Sequence, residues 1–171
     1  LSRLESEEQR YGFKHSVRKV IHGLENVVEV FGAYMMAIMV GIVIYQVFGR
    51  YVLHKTPAWS EEVALLFMTA YGFLSIATGF GRKSHLSVTL LFDKLPQPVR
   101  KVLDLLNDII IILFGVFLFY EGYKFTTLTW SSILPATGWP NGLQYLIVPV
   151  TGILIVIYGL YWLLIGEEEG S

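Results

Sequence analysis

The chain has 171 residues, of which 54% are hydrophobic and 16% charged, with a formal net charge of -1. Soluble domains carry charged residues at about a quarter of their positions, so an ordinary soluble fold is excluded and no nucleic-acid partner is expected. The absence of cysteine also excludes a disulfide framework, a thiolate nucleophile and an iron–sulfur site.

Charged side chains are absent from Val30 to Phe48, Val63 to Phe80, Ile109 to Tyr120 and Leu143 to Ile165. A bilayer core of about 30 Å requires roughly 20 apolar residues at about 1.5 Å each. The first, second and fourth runs meet this unaided. The third does so once it extends back through Val102, Leu103, Leu105 and Leu106, with Asp104, Asn107 and Asp108 at the membrane surface or against a partner. The fold class is therefore an all-α integral membrane protein with four transmembrane helices in one membrane domain.

In chain order, residues 1–23 form a cytoplasmic interfacial segment. Arg18, Lys19 and His22 there flank Val17, Val20, Ile21 and Leu24 at spacings of three and four. The first run is not a cleaved signal, because a long segment with both charge signs precedes it and no small-residue cleavage site follows. The first transmembrane helix covers 24–49, starting before its uncharged run, and the second covers 61–80. Between the second and third, "GRKSHLSVTLLFDKLPQP" places Leu86, Leu90, Leu91 and Leu95 on one helical face. A short amphipathic interfacial helix over 86–95 is expected there, ended by Pro96 and Pro98. The third transmembrane helix covers 99–124, with Pro98 suited to its first turn.

Breakers Pro135, Gly138, Pro140 and Gly142 shape the last loop, where Trp130 and Trp139 suit an aromatic belt at the lipid interface. The fourth helix covers 143–165, with a kink expected near Pro149 and Gly152, and 166–171 form a tail. Ten Lys and Arg fall before the first helix and in the loop between the second and third, against three on the other side. Basic residues resist translocation, so both termini are expected in the cytoplasm. Each cation so placed gains about 1 kcal/mol at an anionic leaflet.

"AWSEE" opens the second helix. Here Trp59 anchors at the headgroups, Ser60 serves as N-cap, and Glu61 and Glu62 favour the positive end of the helix dipole. In a second reading one acid holds Arg50 or a cation on another subunit. Catalytic acid–base work lacks a nucleophile, an oxyanion donor and a third polar group. His15, His22, His54 and His85 lie outside the uncharged runs, which suits neither haem nor zinc, and no metal site or cofactor is expected. Lys83 is a headgroup-facing cation, and His85 a loop or headgroup hydrogen-bonding residue. Gly32, Ala33, Ala37 and Gly41, then Ala70, Gly72, Ala77 and Gly79, offer small surfaces for close helix approach. Asp108 and Asn107, near the start of the third helix, are the best buried polar candidates, with an interfacial helix end as the plainer reading of both. A redox-enzyme anchor and a small four-helix exporter relying on Asp108 are the alternative functional classes.

The series "QVFGRYVLHKTPAWSEEVALLF", "GRKSHLSV", "LFDKLP" and "YLIVPVTG" resembles the small membrane subunit (Q subunit) of tripartite ATP-independent periplasmic (TRAP) transporters, from about Leu24 to Leu164. The resemblance implies a four-helix scaffold for a large elevator-type subunit in the bacterial inner membrane. That subunit would hold the substrate and sodium sites, and a periplasmic binding protein would deliver an organic acid of the sialic acid or dicarboxylate class. It implies subunit-interface or structural roles for Arg50, Trp59, Glu61, Glu62, Arg82, His85 and Pro149, with membrane phospholipids as further partners. Many relatives carry an acid four residues after the histidine, where this chain has Thr89, so no such polar contact carries over.

Overall fold

The computed structural model describes residues 2–81 and 97–165, and the side chains of 18–81, 99 and 102–163. Its helices are α1 (Ser2–Tyr51), α2 (Ala58–Gly81), α3 (Gln97–Thr129), α4 (Gly142–Tyr145) and α5 (Ile147–Ile165). Among the described residues, four stretches are long and apolar enough to cross a membrane: Arg18–Tyr51, Ala58–Gly81, Val102–Thr129 and Gly142–Leu163. The protein is thus all-α and multi-pass. The segment expected as an interfacial helix, 86–95, lies outside the described residues.

α1 is one continuous helix of 50 residues, about 75 Å long. That is more than twice the hydrocarbon thickness, so its polar N-terminal part extends beyond the lipid core. The chain leaves α1 by folding back, with the Lys55 amide donating to the Gly49 carbonyl at 3.0 Å and His54 in the left-handed region at φ 51°. α2 starts at Ala58, earlier than expected, and Ser60 is therefore inside it. Its hydroxyl donates to the Pro57 carbonyl at 2.7 Å. This corrects the expected capping role, in which the side-chain oxygen would accept from a free helix amide.

The break in the last span precedes Pro149. Helix α4 ends at Tyr145 and α5 begins at Ile147, which leaves Pro149 in the first turn of α5. Proline has no amide hydrogen to return to the carbonyl four residues earlier, and its ring crowds that carbonyl. The affected residue is Tyr145, where α4 stops.

The helices pack as a row: α1 lies on α2, α2 on α5, and α5 on α3, while α1 meets α5 sparingly. The core joins Ile21 and Val28 of α1, Leu74 and Ala77 of α2, and Leu154, Ile155, Tyr158 and Tyr161 of α5. The closest approach is between α3 and α5. A Cβ on Gly152 would stand 2.6 Å from the Phe119 nitrogen and 2.8 Å from the Gly115 oxygen, and one on Gly115 would stand 3.0 Å from the Gly152 oxygen. Gly122 meets Pro149 and Gly159 meets Ile112 at similarly short range. The small residues of α1 and α2 behave differently: Gly32 approaches Tyr71 and Leu74, whereas Gly41 and Gly72 face open space.

Gly152→Ala is expected to force α3 and α5 apart, at about 1–3 kcal/mol of overpacking. Gly41→Ala, whose Cβ meets no neighbour, is expected to leave stability unchanged or raise it by up to about 1 kcal/mol through helix propensity. Thermal unfolding of the detergent-solubilised chain checks this; equal shifts for the two variants would contradict the seam.

Candidate functional site

The two ends of the row carry its described polar structure. At one end, the loop after α3 closes as a small hairpin. The Leu134 amide donates to the Trp139 carbonyl at 2.8 Å, and the Asn141 amide to Ser132 at 2.7 Å. Gly138, at φ +72°, supplies the left-handed residue this turn requires. The hairpin is fastened to α2 by Glu62. Its carboxylate accepts the Ala136 amide at 2.9 Å, the Thr137 amide at 2.8 Å and the Thr137 hydroxyl at 2.7 Å. The last loop and the start of α2, expected on one side of the membrane, therefore meet through this carboxylate.

Its neighbour Glu61 occupies the first turn of α2 and is exposed, as is Arg50 in the last turn of α1. Among the described residues, neither acid forms an ion pair with Arg50. Trp59 stacks on Tyr45 of α1 with ring centroids 6.4 Å apart while remaining half-exposed. Trp130 and Trp139 are half-exposed at the same end. Arg82, Lys83 and His85 lie outside the described residues.

At the opposite end, sequence reading missed Glu25. It is 7% exposed, its Oε2 lies 3.1 Å from His22 Nδ1, and it abuts Gly81 at the end of α2. Trp162 of α5 donates its indole N–H to the Gly81 carbonyl at 2.9 Å. A signal was available: Ile21, Glu25 and Val28 are all buried and follow the spacing of one helix face. Asp108 on α3 is also buried. Among the described residues, no three His, Asp or Glu side chains gather as a metal site.

Residues 39–165 match the family described as tripartite ATP-independent periplasmic transporters, DctQ component. The chain belongs to this family. The DctQ component is part of a transporter, and the chain is not an enzyme. It is 23% identical over 156 residues to a putative TRAP transporter small permease protein of Haemophilus influenzae, covering 90% of this chain and 93% of the relative. It is 27% identical over 161 residues, 91% of each chain, to the sialic acid TRAP transporter small permease protein SiaQ of Vibrio cholerae. A second putative small permease of Haemophilus influenzae is 24% identical, over 81% of this chain and 86% of that one. The family match includes Glu62 and the hairpin it holds, whereas Glu25 precedes it.

Hydrogen exchange at Ala136 and Thr137 is expected to accelerate in Glu62→Ala and to remain unchanged in Glu61→Ala. Equal protection in both variants would show that the carboxylate does not hold the hairpin.

Proposed function

We propose that this DctQ-family chain is the small permease subunit of a TRAP transporter and braces a large elevator-type membrane subunit. The complex takes up an organic acid across the bacterial inner membrane, driven by sodium and supplied by a periplasmic binding protein. The observation that carries this reading is the open row of helices. Large apolar side chains remain exposed along it, including Val30, Phe31 and Tyr34 on α1 and Leu113, Phe117 and Tyr120 on α3. A partner subunit and lipid are suited to cover such faces.

Solute paths through membranes use ionisable groups near mid-span, and the uncharged middles of these helices favour support over conduction. Substrate and sodium then belong to the large subunit. The Vibrio cholerae relative is named for sialic acid, which is consistent with a carboxylate-bearing cargo of the sialic acid or dicarboxylate class.

With both termini cytoplasmic, Glu62 and its hairpin face the periplasm. Exposed Arg50 and Glu61 offer polar partners to another subunit, Trp59, Trp130 and Trp139 occupy the outer interface, and Pro149 shapes the last span. On the cytoplasmic side, an amphipathic helix over 86–95 lies on the membrane. Arg82 and His85 serve the subunit interface there, and Lys83 meets phospholipid headgroups.

Co-expression with a large TRAP subunit is expected to yield a stable complex. In proteoliposomes given binding protein and organic acid, uptake is expected only with both membrane chains and an inward sodium gradient. Uptake by this chain alone, or full uptake by the large subunit without it, would defeat the proposal.

A further inference from the structure

The turn at the tip of the hairpin satisfies most of its backbone without help from the rest of the chain. The Leu134 amide donates to the Trp139 carbonyl, the Gly138 amide returns to the Leu134 carbonyl at 2.9 Å, and the Asn141 amide donates to Ser132. Pro135 and Pro140 have no amide hydrogen. This pattern leaves two consecutive amides, Ala136 and Thr137, and both donate to Glu62. Thr137 adds its hydroxyl, whose oxygen accepts the Trp139 amide at 3.4 Å and whose proton goes to Glu62. The donors divide between the two carboxylate oxygens: Ala136 serves Oε1, while the Thr137 amide and hydroxyl serve Oε2.

Consecutive backbone amides in a turn form a concave anion site, and donors split over both oxygens match the whole carboxylate and not a single point of charge. Each of these bonds ends on a carboxylate oxygen and none on the stem that carries it, so the turn recognises the group itself. Ala136 is exposed and Thr137 and Glu62 are half-buried, which leaves the turn open to solvent. We propose that the Ala136–Thr137 turn is a binding site for a small carboxylate, filled in this structure by Glu62 as an internal ligand. The inference rests on the geometry of the turn and not on the transport reading. Its consequence is a two-state hairpin. A free carboxylate binds only the hairpin that Glu62 has left, so it shifts the hairpin from clasped toward released.

Glu62→Ala removes Cγ and the carboxylate, which together are the heavy atoms of acetate, so acetate is the probe. A ligand of this size binds with a dissociation constant on the order of 10 mM. At about ten times that concentration, hydrogen exchange at Ala136 in the full Glu62→Ala chain in lipid nanodiscs is expected to slow about tenfold. Adding Thr137→Val removes one donor to a charged acceptor and is expected to cut the effect to about twofold. Acetamide, which has the same shape without the charge, and sodium chloride at equal ionic strength should leave exchange unchanged. Acetate that protects no better than acetamide or chloride would overturn the proposal, as would an acetate effect undiminished by Thr137→Val. If Glu62→Ala does not fold alone, the same comparison is read as the yield of monodisperse chain extracted in acetate against acetamide. A higher yield in acetate supports the site, and equal yields overturn it.

Discussion

Helices surrounded by lipid gain little by burying apolar surface against one another, because the lipid tails are as apolar as the side chains. Dispersion and exact fit must take over, and both fall off steeply with separation. The arrangement of this chain therefore depends on how closely α3 and α5 approach. Gly115 and Gly122 on α3 are seven residues apart, as are Gly152 and Gly159 on α5, and all four lie where a side chain would strike the opposing helix. Two turns of helix nearly return a residue to the same face, so this spacing creates a continuous seam. With α5 held against α3 on one side, its Leu154, Ile155 and Tyr158 remain for the core shared with α2 and α1.

A row assembled this way has two edges and two broad faces, whereas a closed bundle would bury one face of every helix. Its edge helices α1 and α3 keep large apolar side chains exposed over much of their length. In lipid that exposure is not destabilising, and it leaves surface for another membrane protein. Specificity within the chain comes instead from polar ties near the ends. Glu62 fastens the hairpin to α2, and the Trp162 indole fastens α5 to the opposite end of α2. Ties at the ends suit a membrane protein because charged groups are costly at mid-bilayer.

The four spans were legible because lipid demands a long uncharged helix, and that demand is written along the sequence. The finer features depend on neighbours that no local pattern names. The Tyr145–Ile147 break followed from Pro149 once its missing amide was traced back one turn. Ser60 has the residue type of a cap, yet α2 begins at Ala58, so its hydroxyl lies inside the helix and donates back to the Pro57 carbonyl. Small residues recur on α1 and α2, whereas the tightest glycine contacts between long helices lie between α3 and α5. Composition showed both sets equally, and only the fold decides which glycines meet a neighbour. Glu62 finds its partners 74 and 75 residues away, a separation that periodicity cannot encode.

The acid pair shows the same limit at the scale of two residues. Adjacent positions on an α-helix point about 100° apart around the axis, so Glu61 and Glu62 share no face. One turns toward the hairpin and becomes the acceptor of three hydrogen bonds, while the other remains exposed. Two carboxylates working as an acid–base pair must both reach the same substrate, whereas Glu62 is committed to the hairpin and Glu61 points elsewhere. The helical geometry that separates them is the reason the motif reads as an anchor beside a free surface charge, not as a reactive centre.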